Sequence, residues 1–237
     1  MGAYGVWRVL SAAPEEVSLD AAVAAVKQQE ASNTDAGDEA VAGNKGTDAA
    51  GDAVSLNGVW RVDSETGSFS FEESTGSFVG FRVKEELAKI GATTAVGRTD
   101  QVTGELSIDG SAIQTVSISA DLSSIATNDS RRDSAARYAL NVKQNPTATF
   151  NLTQPLELPQ IDGSKVSVRA EGQLTVNAIT RDVNVDLDAQ LVDNTIVVVG
   201  STKVTFSDYD VTAPSAAIVL SVDDHGVVEF QLLFSRK

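Results

Sequence analysis

The 237-residue sequence contains no cysteine, a single histidine (His225), one methionine and five prolines. Without cysteine there are no disulfides, no thiol nucleophiles and no zinc sites built on thiolates. One histidine leaves a Ser-His-Asp hydrolase a single candidate base, and no Gly-x-Ser-x-Gly elbow accompanies it. No glycine-rich phosphate cradle is present either. No stretch approaches the roughly 18 to 20 consecutive apolar residues that a spanning helix needs. Basic residues are few: 18 Lys and Arg stand against 33 Asp and Glu, a net charge of −15. Such a chain offers no basic patch to nucleic-acid phosphates, and charge alone does not draw it to anionic lipid. The apolar share of 42% suffices for a core, and all eight Phe lie between Phe69 and Phe234.

The composition divides the chain at about Asn57. Residues 1–12 are apolar but lack the basic start and long apolar run of a signal peptide. They read either as a loosely docked terminus or as the tail of a membrane anchor whose upstream part is missing from this chain. Glu15 to Gln29 is predicted as a helix capped by Ser18, with Asp20 in its first turn and Lys27 near its end. Together, residues 1–29 form an N-terminal stub plus short helix. Residues 30–56 are rich in Ala, Gly and Asp and lack aromatics, so they are expected to form a disordered acidic linker. Residues 57–237 hold the folded domain.

That domain alternates with a period of two. Val116, Ile118, Ala120 and Leu122 alternate with polar residues. So do Val166, Val168, Ala170, Leu174 and Val176, then Val183, Val185, Leu187, Ala189 and Leu191, then Val228, Phe230, Leu232 and Phe234. Each series describes a strand with one dry and one wet face. Ile196 to Val199 is continuously apolar and expected to be more buried. Turns are predicted at Asp109-Gly110, Asp162-Gly163, Asp193-Asn194 and His225-Gly226. The class is all-β and antiparallel, and the pattern alone leaves a barrel and a sandwich both open.

Asn128 to Phe150 interrupts the strands. Ser130 and Asp133 have capping-box spacing, Arg131 to Val142 is rich in helix formers, and Asn145-Pro146 ends the run. The segment is expected to be a capping helix over one barrel end, with Tyr138 and Leu140 facing inward and Arg131 and Arg132 at the rim near a ligand head group. Whether it covers a cavity or only a filled core stays open. The candidate lumen residues are Trp60, Val62, Val79, Phe81, Val83, Phe150, Val183, Val185, Leu187, Val204, Phe206, Phe230 and Leu232.

Two carboxylate pairs, Asp186 with Asp188 and Asp208 with Asp210, are each placed on one strand face. Paired carboxylates can perform glycosidic acid/base chemistry, but here they read as the solvated faces of strands. Asp223-Asp224-His225-Gly226 reads as a turn rather than a metal site. No catalytic residue and no metal is assigned.

Several motifs occur in a characteristic order. They are Trp60-Arg61-Val62-Asp63, Arg132-Asp133, Asn145 to Phe150, Gly172 to Arg181, and Phe206 to Val211 followed by Pro214-Ser215. In this arrangement residues 57–237 resemble the YceI-like family of polyisoprenoid-binding proteins, most closely its actinobacterial branch. Asn177-Ala178-Ile179-Thr180 departs from the His-Gly-Val-Thr common in that family. The resemblance implies an extended lipocalin-like antiparallel barrel with an apolar channel for an isoprenoid or quinone-like molecule. It implies sequestration or transport without catalysis, in an extracytoplasmic setting and with no cofactor. Membrane association would come only through the missing anchor. A dimer is compatible with the sequence. Two other readings stand beside it: an exported structural or stress-related domain with a filled core, and a carboxylate-dependent hydrolase.

Overall fold

The computed structural model describes residues 13–35, 55–159, 163–214 and 219–236. The apolar start, most of the expected linker, Asp162 and Ser215 lie outside the described residues. In chain order the elements are α1 Leu19–Asp35, β1 Gly58–Val62, β2 Phe78–Leu87, β3 Gly91–Thr99, β4 Val102–Asp109, β5 Ala112–Asp121 and β6 Ala126–Thr127. They continue with α2 Asp133–Ala139, β7 Thr147–Leu152, β8 Leu156–Glu157, β9 Val166–Val176, β10 Ile179–Val192, β11 Thr195–Thr205 and β12 Val219–Ser235.

Eight strands close into an antiparallel barrel in the order β1-β4-β5-β7-β9-β10-β11-β12. Closure rests on β12 meeting β1 through Arg61 with Ser235 and Val62 with Phe234. The alternation read from the sequence sets the faces. In β9 and the second half of β12 every other residue is apolar and points inward, and so it is from Val116 to Ala120 in β5 and from Val183 to Leu191 in β10. Short turns join neighbours, with Gly110 and Asp193 taking the positive φ of 62° and 48° that tight hairpins require.

β12 is 17 residues long and does two jobs. Its end pairs with β1, while Val219 to Gln231 pair with β2. β2, β3 and β6 thus extend the wall beyond the barrel as an arm. The predicted turn at His225-Gly226 is instead an irregularity inside β12, where the register to β2 shifts between Val222 and Gly226. A strand with a bulge and a polar stretch mimics a turn in sequence.

Outside the barrel lies a second dry surface. In β11, Ile196 and Val198 face the interior core, whereas Val197 and Val199 pack with Val192 and Leu233 against α1. The continuous apolar run therefore reflects a strand covered on both faces. α1 presents Leu19, Ala22, Val23 and Val26, one stripe at helical spacing, to this patch. A 17-residue alanine-rich helix is marginal alone, so docking holds it. It begins after Ser18, whose carbonyl accepts from the Ala22 N–H. It runs to Asp35, through the expected start of the linker.

The segment before α1 covers a buried ionic cluster on the outer face of the arm. Glu229 is 1% exposed. It accepts from Arg98 at 2.7 Å and from Arg82 at 3.4 Å. The arginines also donate to main-chain carbonyls: Arg82 to Pro14 at 2.7 Å, and Arg98 to Glu15 at 3.0 Å and Phe71 at 3.1 Å. Arg98 also stacks over Phe78 at 4.5 Å. Buried charges persist only when paired in this way.

Two predictions follow from this outer layer. Glu229→Ala leaves two arginines facing each other without an anion and should cost about 3–5 kcal/mol in urea unfolding. A loss below about 1 kcal/mol would contradict the buried cluster. Glu30, in α1, has its carboxyl pushed up to about 6, first by burial and then by Asp193. The folded state thus holds this proton more tightly than a free carboxyl of 4.5 does. That stabilisation is complete below the unfolded value and is lost as pH rises through about 6. Glu30→Gln should therefore raise the melting temperature at pH 7 and flatten its change between pH 4.5 and 6.

Candidate functional site

The barrel encloses an elongated cavity of about 170 Å³. Along β9 it runs from Val166 to Leu174, roughly 26 Å of strand. Its walls are aliphatic and aromatic; the polar residues on them are Thr149, Ser164, Gln190 and Thr202. No ionisable side chain lines it among the described residues. Seven of the candidate residues stand on this wall: Val79, Phe150, Val183, Val185, Leu187, Phe230 and Leu232. Trp60 does not. It is buried in the adjoining core, where its indole N–H donates to Leu56 at 2.8 Å. Val62 packs against that core.

Phe81 and Val83 share the inward face of β2 with Val79, but they sit on the arm, away from the cavity wall. Val204 and Phe206 belong to a separate cluster around Tyr209, which closes the cavity beyond Leu174, Val183 and Val228.

Two of the rings on the wall depend on glycines. A Cβ on Gly172 would lie 2.3 Å from the Phe150 ring, and one on Gly200 would lie 2.5 Å from the Phe230 ring. The absent side chains let both rings lie against the sheet, which keeps the lumen open.

The two ends differ. At one end Ser164 is exposed and Leu56, Leu156 and Leu158 are half-buried, so the lumen meets solvent there. At the other end Ala120 and Leu174 are buried. The crossover containing α2 covers this closed end, because β5 leads into it and β7 leaves it there.

The crossover differs from its expected form. α2 spans only Asp133 to Ala139, preceded by a 3-10 turn at Ser130–Arg132. Asp129, not Ser130, caps that turn, its side chain accepting from the Arg131 N–H. Asn141 takes φ 51° and ends the helix a turn early, a conformation asparagine tolerates. Tyr138, within the short helix, is 88% exposed rather than inward, and Leu140 is half-buried off the cavity wall. Val142 is the buried residue instead.

The rim arginines are engaged elsewhere. Arg131 is exposed and forks onto Asp129 at 2.9 and 2.6 Å. Arg132 is paired at 2.5 Å with Glu85 on the inner face of β2. Burial raises the Glu85 carboxyl above its usual range, and Arg132 opposes that rise. Arg132 holds the crossover to β2, Arg131 braces the crossover's own first turn, and neither lies at the open mouth.

Asn177, at the departure from the family pattern, fastens the same crossover. It takes φ 52° in the β9–β10 turn. Its Oδ1 accepts from Asn141 at 3.0 Å and Asn145 at 2.8 Å, and its Nδ2 donates to the Tyr209 carbonyl at 3.1 Å. The Asn145-Pro146 motif contained half of this link; its partner Asn177, 32 residues on, stood out in the sequence only as a departure from the family pattern.

The carboxylates are solvated. Asp186 pairs with Arg169 and Asp188 with Lys165, each at 2.6 Å on the outer face. Asp208 lies in a 3-10 turn with Asp210 as its left-handed cap, so these two do not share a strand face. His225 is exposed in β12, 3.7 Å from Asp223. No cluster of His, Asp and Glu fit to hold a metal occurs among the described residues. No helix among them is long and apolar enough to cross a membrane.

A closed antiparallel barrel around a dry lumen defines the lipocalin-like class of barrels. Residues 60–234 match the family model described as the YceI-like domain, and the chain belongs to that family. Among solved structures, a polyisoprenoid binding domain from Saccharophagus degradans shares the fold. Its TM-score is 0.53 at 18% identity, covering 68% of this chain and 94% of that one. BcnA of Burkholderia cenocepacia also has a TM-score of 0.53, at 17% identity, covering 73% and 98%. UPF0312 proteins of Pseudomonas aeruginosa are 29% identical over 118 residues, 48% of this chain. The chain spans 56% of the length of these curated relatives.

Gly200→Val should push the Phe230 ring off the sheet and cost about 1–3 kcal/mol in urea unfolding. Adding Phe230→Leu should recover part of that loss. Full stability of the single variant would contradict the packing of ring on glycine.

Proposed function

We propose that the protein is a non-catalytic carrier that holds a long isoprenoid, or a similar apolar chain, in the barrel lumen. The observation that carries this reading is the shape and chemistry of the cavity: long, narrow and walled by aliphatic side chains, with no ionisable group on the described wall. Such a space suits a hydrocarbon chain and lacks the titratable groups that acid/base catalysis uses. Each methylene removed from water contributes about 0.8 kcal/mol, so affinity rises roughly fourfold per buried methylene. Membership of the YceI-like family, and the fold shared with a protein described as a polyisoprenoid binding domain, support the reading. The open cavity weighs against a filled-core structural role, and the solvated carboxylates weigh against a hydrolase. Membership of the YceI-like family supports an extracytoplasmic setting for this carrier.

Ala189 stands on the lumen wall. Ala189→Trp in the full chain should weaken binding of a long-chain prenol at least about tenfold, or about 1.4 kcal/mol, by calorimetric titration. Val59→Trp, at an exposed position, should leave binding unchanged. Undiminished binding by a folded Ala189→Trp protein would overturn the lumen as the site.

A further inference from the structure

We propose that a second binding site lies outside the barrel wall: a half-open polar groove that takes a neutral, polyhydroxylated ligand of the linear oligosaccharide class. The groove has a volume of about 390 Å³ and lies between the outer face of β4, β5 and β7 and the loop of residues 63–77. The barrel wall separates it from the lumen. In β5, Ala120 faces the lumen while Ser119 and Asp121 face the groove; in β7, Ala148 and Thr147 divide in the same way.

The strands supply a flat floor of hydrogen-bonding groups. Thr103 stands opposite Ser119, and Asp121 opposite Thr147. Such neighbours are about 5 Å apart across the strands and about 7 Å apart along one. The hydroxyls of Thr103, Ser119 and Thr147 make no hydrogen bond within the described residues, so a ligand can use them. Two carboxylates flank this floor. Asp121 accepts from the Ser123 N–H at 2.8 Å, and Asp100 from the Gln101 amide at 2.9 Å. A carboxylate accepts about four hydrogen bonds, so both retain capacity.

The loop supplies a fixed roof with an aromatic face. At its start the Asp63 carboxylate accepts from the Glu65 N–H at 2.8 Å and the Thr66 N–H at 3.0 Å. At its neck Gly67 takes φ 83° and lies so close to Gly76 that a Cβ would sit 2.5 Å from the Gly76 nitrogen. The Thr75 and Gly76 N–H groups both donate to the Ser68 carbonyl there, at 3.0 and 3.2 Å. The loop so closed holds Phe69 on the groove, half-buried, its ring tilted 53° against buried Phe78 with centroids 6.4 Å apart. A sugar ring presents an apolar C–H face and a rim of hydroxyls that both donate and accept, which matches one aromatic face beside hydroxyls and carboxylates.

Other ligand classes fit less well. No Lys or Arg lines the groove, so an anion finds no charged partner. The polar floor does not suit a hydrocarbon chain. An amine would meet the two carboxylates, but it only donates, whereas the three hydroxyls call for a ligand that also accepts.

The test is calorimetric titration of the full chain with three neutral saccharides, maltopentaose, cellopentaose and triacetylchitotriose, and with spermidine as an amine. At least one saccharide should bind with a Kd of about 1 mM or tighter. Thr103→Trp fills the groove from an exposed strand position and should weaken that binding at least about tenfold. Thr147→Val removes one hydroxyl at nearly constant shape and should weaken it about fivefold. Ala189→Trp, on the lumen wall, should leave it unchanged, which separates this site from the carrier reading. No saccharide binding at about 10 mM probe, saccharide binding that survives both groove substitutions in folded protein, or binding of spermidine alone would overturn the site.

Discussion

Two residue pairs, Arg61 with Ser235 and Val62 with Phe234, join the last strand to the first and turn a sheet into a barrel. The rest of the molecule depends on that closure. An open sheet of these strands would expose its apolar face and unpaired edges. Closed, it faces inward and encloses a lumen. Because side chains alternate strictly, the same residue pattern that makes the strands also makes the lumen dry. The site is thus a property of the whole wall.

The length of β12 then determines what surrounds the barrel. One strand cannot pair with both β1 and β2 over its full length, so it divides between them, and β2 and β3 form an arm past the barrel. The arm creates an outer face with charges that must be satisfied. Glu229, Arg82 and Arg98 meet there, and the main chain at Pro14 and Glu15 completes their hydrogen bonds. The same N-terminal segment continues into α1, which covers the second dry patch. These residues precede the matched domain, 60–234, and still form part of its packed structure.

Local patterns were the most legible features in the sequence. The strands β5, β9 and β10 followed from alternation, and the hairpins at Gly110 and Asp193 from turn chemistry. Seven lumen residues followed from the same alternation: six lie on the inward face of a barrel strand, and Val79 lies on β2 where the arm meets the barrel. Trp60, Phe81, Val83, Val204 and Phe206 show what alternation cannot tell. It assigns a face but not a height along the barrel, and these residues pack beside the cavity or beyond it. The docking of α1 was half visible. The stripe Leu19, Ala22, Val23 and Val26 and the run Ile196 to Val199 are complementary surfaces, but nothing in sequence pairs them. Arg98 and Glu229, 131 residues apart, carried no local signal. Tyr138 was misplaced because i, i+4 spacing groups residues on one helix face without telling which face turns inward; it stands on the outward face of the short helix. The open mouth was misplaced with it, since a helix crossing a barrel end suggests a lid, whereas this one covers the closed end.

The central claim is that the lumen holds a long apolar chain. Native mass spectrometry of the full chain, purified without detergent and followed by organic extraction, tests it most directly. The account predicts a protein mass raised by one discrete apolar ligand, or a ligand-free protein that takes up one equivalent of an added long-chain prenol. A protein that is ligand-free as purified and stays so with prenol in excess would contradict it.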